Sequence, residues 1–208
     1  MEEVSVSTDG SCVGQGGSGH GAIGWAVVEH GGALERAGGA AFGTNQIAEL
    51  TAILVALRTY QPGSKRAVRN LTIYSDSKYA INSATTWIQG WKQKGWKRTG
   101  NKPITNLAII QAIDRELELR HQNGGTAQLI WVKAHNGDEY NEAADELANS
   151  TAHTWRKKLG TPEEEDLSTV PKEARQAILE RAQDLGFTNA PVSQDFDLLS
   201  TTDTDISA

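Results

Sequence analysis

Residues 45–76, NQIAELTAILVALRTYQPGSKRAVRNLTIYSD, predict a helix followed by a buried strand, and this pairing indicates the fold class. The helix is predicted over residues 45–60, is rich in good helix formers, and ends before Pro62-Gly63. LTIYSD, residues 71–76, is a short apolar run typical of a strand inside a sheet. A helix between strands favours a parallel pairing, because a parallel crossover needs the length of chain that a helix supplies.

Three strands are predicted before this helix. The alternation in EVSVSTDGSC predicts the first, and GAIGWAVVEH and ALERAGGAAF predict two more, joined by glycine-rich turns as an antiparallel meander. After residue 76 the sequence predicts a helix at SKYAINSATTWI, a long helix at ITNLAIIQAIDRELELRHQ, a strand at AQLIWVKAH and a closing helix at YNEAADELANSTAHTWRKK. We therefore expect an α/β fold, with a five-stranded mixed sheet of three antiparallel and then parallel strands, flanked by helices on both faces.

The charged residues divide the chain near residue 160. Residues 1–160 hold seventeen basic and fifteen acidic residues, a balance that suits an anionic partner, whereas residues 161–208 hold three basic and eleven acidic ones. LGTPEEED, at the boundary, resembles a linker, so we expect a folded domain over 1–160 and an acidic tail over 161–208. Proline near its start and glycine after its end predict a tail helix over residues 171–186, and the rest of the tail is predicted to be disordered.

Cysteine content and hydropathy indicate the compartment. Cys12 is the only cysteine, which is too few for an internal disulfide or a multi-thiolate metal site. Met1-Glu2-Glu3 does not resemble the start of a signal peptide, and no apolar run is long enough to cross a bilayer. We therefore expect a cytoplasmic protein without a membrane partner.

Four acidic residues are candidates for one shared site. Glu49 is the sole charged residue from Asn45 to Leu57, in a helix that is apolar nearly all round, and a lone buried carboxylate is costly unless it is paired or binds a metal. Asp9 lies on the first strand, Asp76 closes the fourth, and Asp145 lies at the edge of the apolar stripe of the last helix. Because the first three come from elements that must pack together in such a sheet, we expect them to converge.

Each acid also has a simpler interpretation. Glu49 could reach solvent at the rim of its helix, and Asp9 begins an Asp-Gly dipeptide of the kind found in hairpin turns. Asp76 could cap the following helix, and Asp145 could be a solvated surface acid. As a group, however, the acids favour a cation, because two carboxylates about 4 Å apart repel by roughly 4 kcal/mol at an effective dielectric of about 20. Oxygen-only ligands favour Mg²⁺ or Mn²⁺, and two such ions can promote phosphodiester hydrolysis.

Four motifs, STDGSC, TNQIAEL, YSDSKYAIN and VKAHNGDEYNEAADELA, resemble in order and spacing those of type 1 ribonuclease H. The resemblance covers about residues 1–160 and implies an endonuclease that hydrolyses the RNA strand of RNA–DNA hybrids and leaves 5′-phosphate ends. We separately expect a monomer. It also implies two Mg²⁺ ions, for which Mn²⁺ can substitute. Matched residue by residue, the motifs make Asp9, Glu49, Asp76 and Asp145 the metal-binding catalytic carboxylates, and they assign His135 to proton transfer or product release.

The same resemblance assigns residues 87–103, WIQGWKQKGWKRTGNKP, to a basic handle that grips the hybrid. Lysine and arginine neutralise phosphates without reading sequence, while tryptophans brace such a protrusion by packing. Trp87 and Trp91, four residues apart, are expected to be core anchors, which leaves Trp96 as the exposed tryptophan. The expected nucleic-acid contacts in the handle are Lys92, Lys94, Trp96, Lys97, Arg98 and Lys102.

Further contacts with the hybrid are expected outside the handle. Thr44, Asn45 and Gln46 match the family segment that contacts the backbone and the minor groove, where the 2′-hydroxyl distinguishes RNA from DNA. Lys78 is a further expected contact, and it stands where the best-known bacterial pattern has glutamine. The second motif reads NQIAE instead of Asn-Asn-Arg-Met-Glu, and Ala134 replaces a glycine. None of these departures removes a catalytic group.

Other functions would require different residues from those of the four motifs. A hybrid-binding module without catalysis would keep the fold and the basic handle, but it predicts the loss of a metal carboxylate, and all four are present. A phosphatase with an aspartyl nucleophile expects a second carboxylate two residues after Asp9, where Ser11 stands. GQGGSGHG lacks the Gly-Lys-Ser/Thr ending of a P-loop. A domain that serves a polymerase is compatible with the motifs, although this chain contains no polymerase.

Overall fold

The computed structural model describes residues 3–14, 21–32, 34–135, 137–158 and 204–205. The predicted tail helix over residues 171–186 lies outside these residues. In chain order the elements are β1 (Glu3–Val13), β2 (Gly21–Glu29), β3 (Glu35–Gly43), α1 (Asn45–Thr59), β4 (Asn70–Ser75), α2 (Lys78–Ala84), α3 (Thr86–Gln93), α4 (Leu107–Gln122), β5 (Thr126–Trp131), α5 (Glu139–Lys158) and β6 (Thr204–Asp205).

The strands form one mixed sheet in the order β5-β4-β1-β2-β3-β6. β1, β2 and β3 pair antiparallel, whereas β4 runs parallel to both β1 and β5. This arrangement confirms the predicted five-stranded mixed sheet with its crossover helices. The two-residue β6, which the sequence did not predict, pairs antiparallel with β3 at Arg36 and Ala37.

Helices cover both faces of the sheet, as predicted. On one face, Val6 of β1 joins a buried cluster with Leu50 and Ile53 of α1 and with Ile110 of α4. On the other face, α5 packs mainly on β1, β2 and β3. α5 touches the backbone of β2, since a Cβ added at Gly24 would lie only 2.1 Å from the carbonyl oxygen of Ala148.

α1 is the central helix, and its surroundings explain its composition. It contacts β1 and β2 on one side and α4 on the other, so its residues from Leu50 to Leu57 are all buried. Its start is fixed by Thr44, whose hydroxyl oxygen accepts a hydrogen bond from the backbone N–H of Ile47 at 3.2 Å. A helix buried on several sides must be apolar nearly all round, as the sequence indicated.

The predicted helix at SKYAINSATTWI is instead two helices, α2 and α3, separated at Thr85. The backbone of Thr85 leaves the helical region, with φ −121° and ψ −68°. Its hydroxyl donates a hydrogen bond to the carbonyl oxygen of Ile81 at 2.7 Å, a contact that commonly bends helices. Across the part of the chain that the structure describes, every helix is too short or too polar to span a membrane.

Candidate active site

Asp9 is the centre of a cluster of acids. It lies inside β1, which continues to Val13, so the hairpin interpretation of Asp9-Gly10 is wrong. The residue is 7% exposed, and burial is the main cause that raises the pKa of Asp9 to about 8. The nearby carboxylates also raise this pKa, although a hydrogen bond with the Gly10 backbone opposes them; in decreasing order of effect these carboxylates are Asp76, Asp145 and Glu49. The three other predicted acids therefore lie near enough to Asp9 to influence its pKa.

Glu49 is held at both carboxylate oxygens. Ser77 donates its hydroxyl hydrogen to Oε2 at 2.6 Å, and the amide of Asn45 donates to Oε1 at 2.8 Å. Burial raises the pKa of Glu49 and Asp76 raises it further, whereas these two hydrogen bonds lower it. Glu49 is thus an oriented, half-buried carboxylate, and the interpretation as a solvated acid at the helix rim is wrong.

A close approach of α1 to β1 explains why Glu49 reaches Asp9. A Cβ added at Gly10 would lie 2.1 Å from the backbone nitrogen of Glu49 and 2.3 Å from the carbonyl carbon of Ala48. Any side chain at residue 10 would therefore force the helix away from the strand. The close approach is possible because the residue directly after Asp9 is glycine.

Asp76 is the first residue after β4, at the carboxyl end of a parallel strand. It does not cap α2, because Ser77 is the N-cap residue. Its backbone is fixed from β5, where the indole N–H of Trp131 donates to the carbonyl oxygen of Asp76 at 2.9 Å. The ammonium of Lys78 lies 4.4 Å from the centroid of the Trp131 ring, which puts a cation beside this end of the site.

Asp145 lies on α5, and His135 lies in the connection that precedes this helix. Asp145 is half-buried in α5, next to Ala144, which is fully buried under the sheet. His135 is exposed in the connection between β5 and α5, with a left-handed backbone at φ 52°. Within the described residues no hydrogen bond joins the His135 ring to the four carboxylates, and its role at the site stays a prediction.

The donor set fits a hard divalent cation. All four candidate ligands are carboxylates, and the raised pKa values of Asp9 and Glu49 reflect repulsion and burial that a bound cation would offset. In the described part of the chain, no three side chains among His, Cys, Asp and Glu are close enough to hold an ion unaided. Mg²⁺ usually takes only one or two carboxylates and completes its coordination with water and substrate phosphate, so this open arrangement suits it.

The basic handle is anchored to α4 through Lys92. The ammonium of Lys92 lies 2.9 Å from Oδ2 of Asp114 and also pairs with Glu118. The hydrogen bond to Glu118 is the main cause that raises the pKa of Lys92, and Asp114 adds to it. Lys92 is therefore engaged by two carboxylates, in contrast to its expected phosphate contact. The remaining predicted cations of the handle, all exposed, are Lys94, Lys97, Arg98 and Lys102.

The exposure of two handle tryptophans differs from the prediction. Trp91 and Trp96 are partly buried and pack against the main core, and the backbone N–H of Trp96 donates to the carbonyl oxygen of Trp91 at 2.7 Å. Trp87 is 40% exposed and lies beside Tyr79, with ring centroids 6.0 Å apart. The expected exposure of Trp96 and burial of Trp87 are thus both wrong. The helical spacing of Trp87 and Trp91 did not indicate which ring faces the core.

Thr44 and Asn45, two of the predicted nucleic-acid contacts, make hydrogen bonds within the protein. The Thr44 hydroxyl caps α1, and the Asn45 amide holds Glu49. Gln46 is the exposed member, and its side-chain oxygen accepts a hydrogen bond from Asn106 at 3.4 Å. Ser77, which sequence reasoning missed, was detectable as a helix cap but not as the donor to Glu49.

Comparisons with known proteins show the family of the chain. The RNase H family model matches residues 1–153. Ribonuclease H of Acidovorax sp. (strain JS42) is 39% identical over 151 residues, covering 72% of this chain and 94% of that protein. Ribonuclease H of Agrobacterium fabrum is 38% identical over 160 residues, covering 76% of this chain and all of that protein. The crystal structure of LC9-RNase H1, a type 1 RNase H with the type 2 active-site motif, is 29% identical with a TM-score of 0.57, covering 74% of each chain.

Proposed function

The chain belongs to the RNase H family, and from this membership we infer that it is an endonuclease that hydrolyses the RNA strand of RNA–DNA hybrids. The observation that carries this inference is the proximity of Asp9 to three further carboxylates, from α1, from α5 and from the residue that follows β4. Surface acids of an ordinary domain would not share burial and mutual repulsion in this way. The cleavage is expected to leave 5′-phosphate ends.

Divalent metal is the cofactor that this donor set accommodates. Asp9, Glu49, Asp76 and Asp145 would hold two ions, for which we propose Mg²⁺, with Mn²⁺ as a substitute. When bound, such a pair activates a water molecule and stabilises the leaving oxygen of the scissile phosphodiester. The need for a cation is greatest at Asp9, whose raised pKa keeps it largely protonated at neutral pH unless positive charge is supplied.

The protein side chains orient these ligands before substrate arrives. Ser77 and Asn45 fix both oxygens of Glu49, so this carboxylate cannot rotate away from the cluster without losing two hydrogen bonds. The indole of Trp131 fixes the backbone at Asp76. His135, on its exposed connection, is assigned to proton transfer or product release.

Substrate binding is proposed to run from the handle to the start of α1. Lys94, Lys97, Arg98 and Lys102 are exposed cations that can neutralise phosphates of the hybrid. Lys78 adds a cation next to the acids, and Gln46 is the exposed polar group available for the minor groove. We propose that the chain acts as a monomer in the cytoplasm, which is consistent with its single cysteine.

One experiment tests the function directly. A labelled RNA–DNA hybrid, the matching double-stranded RNA and the matching double-stranded DNA are each incubated with the full chain, with and without Mg²⁺. Cleavage of the RNA strand of the hybrid alone, only with Mg²⁺ and not by the Asp9→Asn variant, is the expected result. Tight hybrid binding without cleavage in any divalent metal would instead identify a non-catalytic binding module.

A further inference from the structure

His30 connects three of the elements that carry the candidate ligands. It directly follows β2 and is half-buried. Its Nε2 lies 2.9 Å from the hydroxyl oxygen of Ser7 on β1. Its ring stacks on Tyr140 of α5 with centroids 4.2 Å apart, and on Tyr74 of β4 with centroids 5.1 Å apart, at an interplanar angle of 14° in both pairs. We call these three aromatic residues the three-ring stack.

The strand partners of His30 lie shortly before Asp9 and Asp76 in the chain. Ser7 and Tyr74 are register partners in the parallel pairing of β1 with β4, so their side chains share one face of the sheet. Ser7 precedes Asp9 by two residues and Tyr74 precedes Asp76 by two. Two residues of strand span about 7 Å, so the three-ring stack lies one layer below these two acids.

The helix partner of His30, Tyr140, lies on the same helix as Asp145. Tyr140 is in the first turn of α5, and its hydroxyl oxygen also accepts a hydrogen bond from the backbone N–H of Gly31 at 3.0 Å. Asp145 follows five residues later on the same helix, a rise of about 7.5 Å. The main contacts of α5 are with β1, β2 and β3. Among the described residues, the side-chain connection from α5 to β4 runs from Tyr140 through the imidazole of His30 to Tyr74.

We propose that His30 is a positioning residue that sets the separation between Asp145 on α5 and the carboxylates of Asp9 and Asp76, and thereby the affinity for divalent ions. This inference rests on the proposed metal-dependent function. A flat ring stacked on both tyrosines acts as a spacer of fixed thickness between α5 and β4. Without the ring, the first turn of α5 is free to settle against the strands, and metal sites tolerate displacements of only about 0.5 Å in their ligands.

The electrostatics of His30 suit this spacer role. Burial lowers the pKa of His30, and it outweighs the opposing effect of Asp138 and Glu139. The imidazole is therefore neutral at neutral pH and needs no counter-charge in the stack. In a neutral imidazole, Nε2 can donate or accept a hydrogen bond with the Ser7 hydroxyl, depending on the tautomer.

The test measures metal binding separately from cleavage. Mn²⁺ is titrated calorimetrically into the full chain without nucleic acid, for the wild type, His30→Ala, His30→Phe and Tyr140→Leu. The exposed His153 of α5 gives the matched control, His153→Ala. We expect His30→Ala and Tyr140→Leu to weaken Mn²⁺ binding roughly tenfold, the lower end of the effect of groups that orient metal ligands. His30→Phe, which keeps a stacked ring, should recover most of the affinity, and His153→Ala should change nothing.

Steady-state cleavage then separates positioning from general damage. The Mg²⁺ concentration for half-maximal cleavage should rise in His30→Ala and Tyr140→Leu, while the KM for hybrid stays within about twofold of the wild type. Folded Tyr140→Leu protein with wild-type Mn²⁺ affinity overturns the inference even where His30→Ala does not fold. If the wild type cleaves hybrid and every folded variant binds Mn²⁺ with wild-type affinity, only this inference is overturned, and the proposed function stands. Wild-type protein that neither binds Mn²⁺ nor cleaves overturns the proposed function as well.

Discussion

The hydroxyl of Ser77 donates a hydrogen bond to Oε2 of Glu49, with 2.6 Å between the two oxygens, and the same hydroxyl oxygen accepts from the backbone of α2 at Ala80. One side chain therefore both starts a helix and orients a candidate metal ligand. It joins the beginning of α2 to the second turn of α1, 28 residues apart in the chain.

Removing this hydroxyl should weaken metal-dependent cleavage. We expect Ser77→Gly to lower kcat/KM at limiting Mg²⁺ roughly tenfold, because Glu49 loses a donor and its pKa rises further. Glycine is chosen because it costs a helix cap only a few tenths of a kcal/mol. Ser83→Ala is the matched control, since the buried Ser83 hydroxyl makes no hydrogen bond in the described structure. Equal activity of Ser77→Gly and Ser83→Ala would show that the bond to Glu49 has no catalytic effect.

Asp9→Asn should abolish cleavage and stabilise the metal-free protein above neutral pH. The folded-state pKa of Asp9 is raised to about 8 from an ordinary value of 3.8, so the folded state binds more protons than the unfolded state between these values. Stability of the wild type should therefore fall as pH rises through this range, and the asparagine variant should lose this dependence. Thermal unfolding in a chelator from pH 5 to 9 measures it; parallel curves for both proteins would contradict the burial of an ionisable Asp9.

The cations of the handle should divide into two groups. In an Asp9→Asn background that prevents cleavage, each of Lys94→Ala and Lys97→Ala should reduce the slope of log affinity against log salt by about 0.9. Lys92→Ala should leave that slope unchanged but lower the melting temperature, because it leaves the buried Asp114 carboxylate without its partner. Hybrid binding measured over a salt series distinguishes them, and a reduced slope for Lys92→Ala would return that lysine to the phosphate-contacting group.

Trp91 and Trp87 should differ in their contribution to the free energy of unfolding. Trp91→Ala should lower the free energy of unfolding by about 2 kcal/mol or more, because Trp91 packs on the main core. Trp87→Ala should cost much less, since that ring is 40% exposed. Urea unfolding gives both values; a larger loss for Trp87 would mean that its contact with Tyr79 is structural.

The acidic tail gives a further prediction. With eleven acidic and three basic residues, it can compete with nucleic acid for the handle at low salt. Truncation after residue 160 should therefore raise hybrid affinity at low ionic strength and have little effect at high ionic strength. Unchanged affinity at low salt would rule out this competition.

Much of the fold was readable from local pattern. The alternation in β1 and the apolar run of β4 each reflect burial within a few residues, which a sequence displays directly. The break between α2 and α3 was not readable, because nothing but the side-chain bond of Thr85 marks it. A threonine inside a helical pattern is common, and its rotamer depends on the surrounding structure.

The part of the site that lies within the sequence motifs could be predicted from the sequence. The acids were identified in the sequence, and in the structure the other three lie near enough to Asp9 to raise its pKa. The partners of Lys92 were not predicted, because Asp114 and Glu118 lie on another helix more than twenty residues away. Pairings of this kind depend on how α3 packs against α4, which no local pattern encodes.

The contact between Gly10 and the backbone of α1 makes the centre vulnerable to a very small lesion. A single methyl group at residue 10, as in Gly10→Ala, would push Glu49 away from Asp9 while leaving every acid intact. A genetic screen for inactive enzyme would then recover this position as readily as the carboxylates, although its residue has no chemistry of its own to contribute.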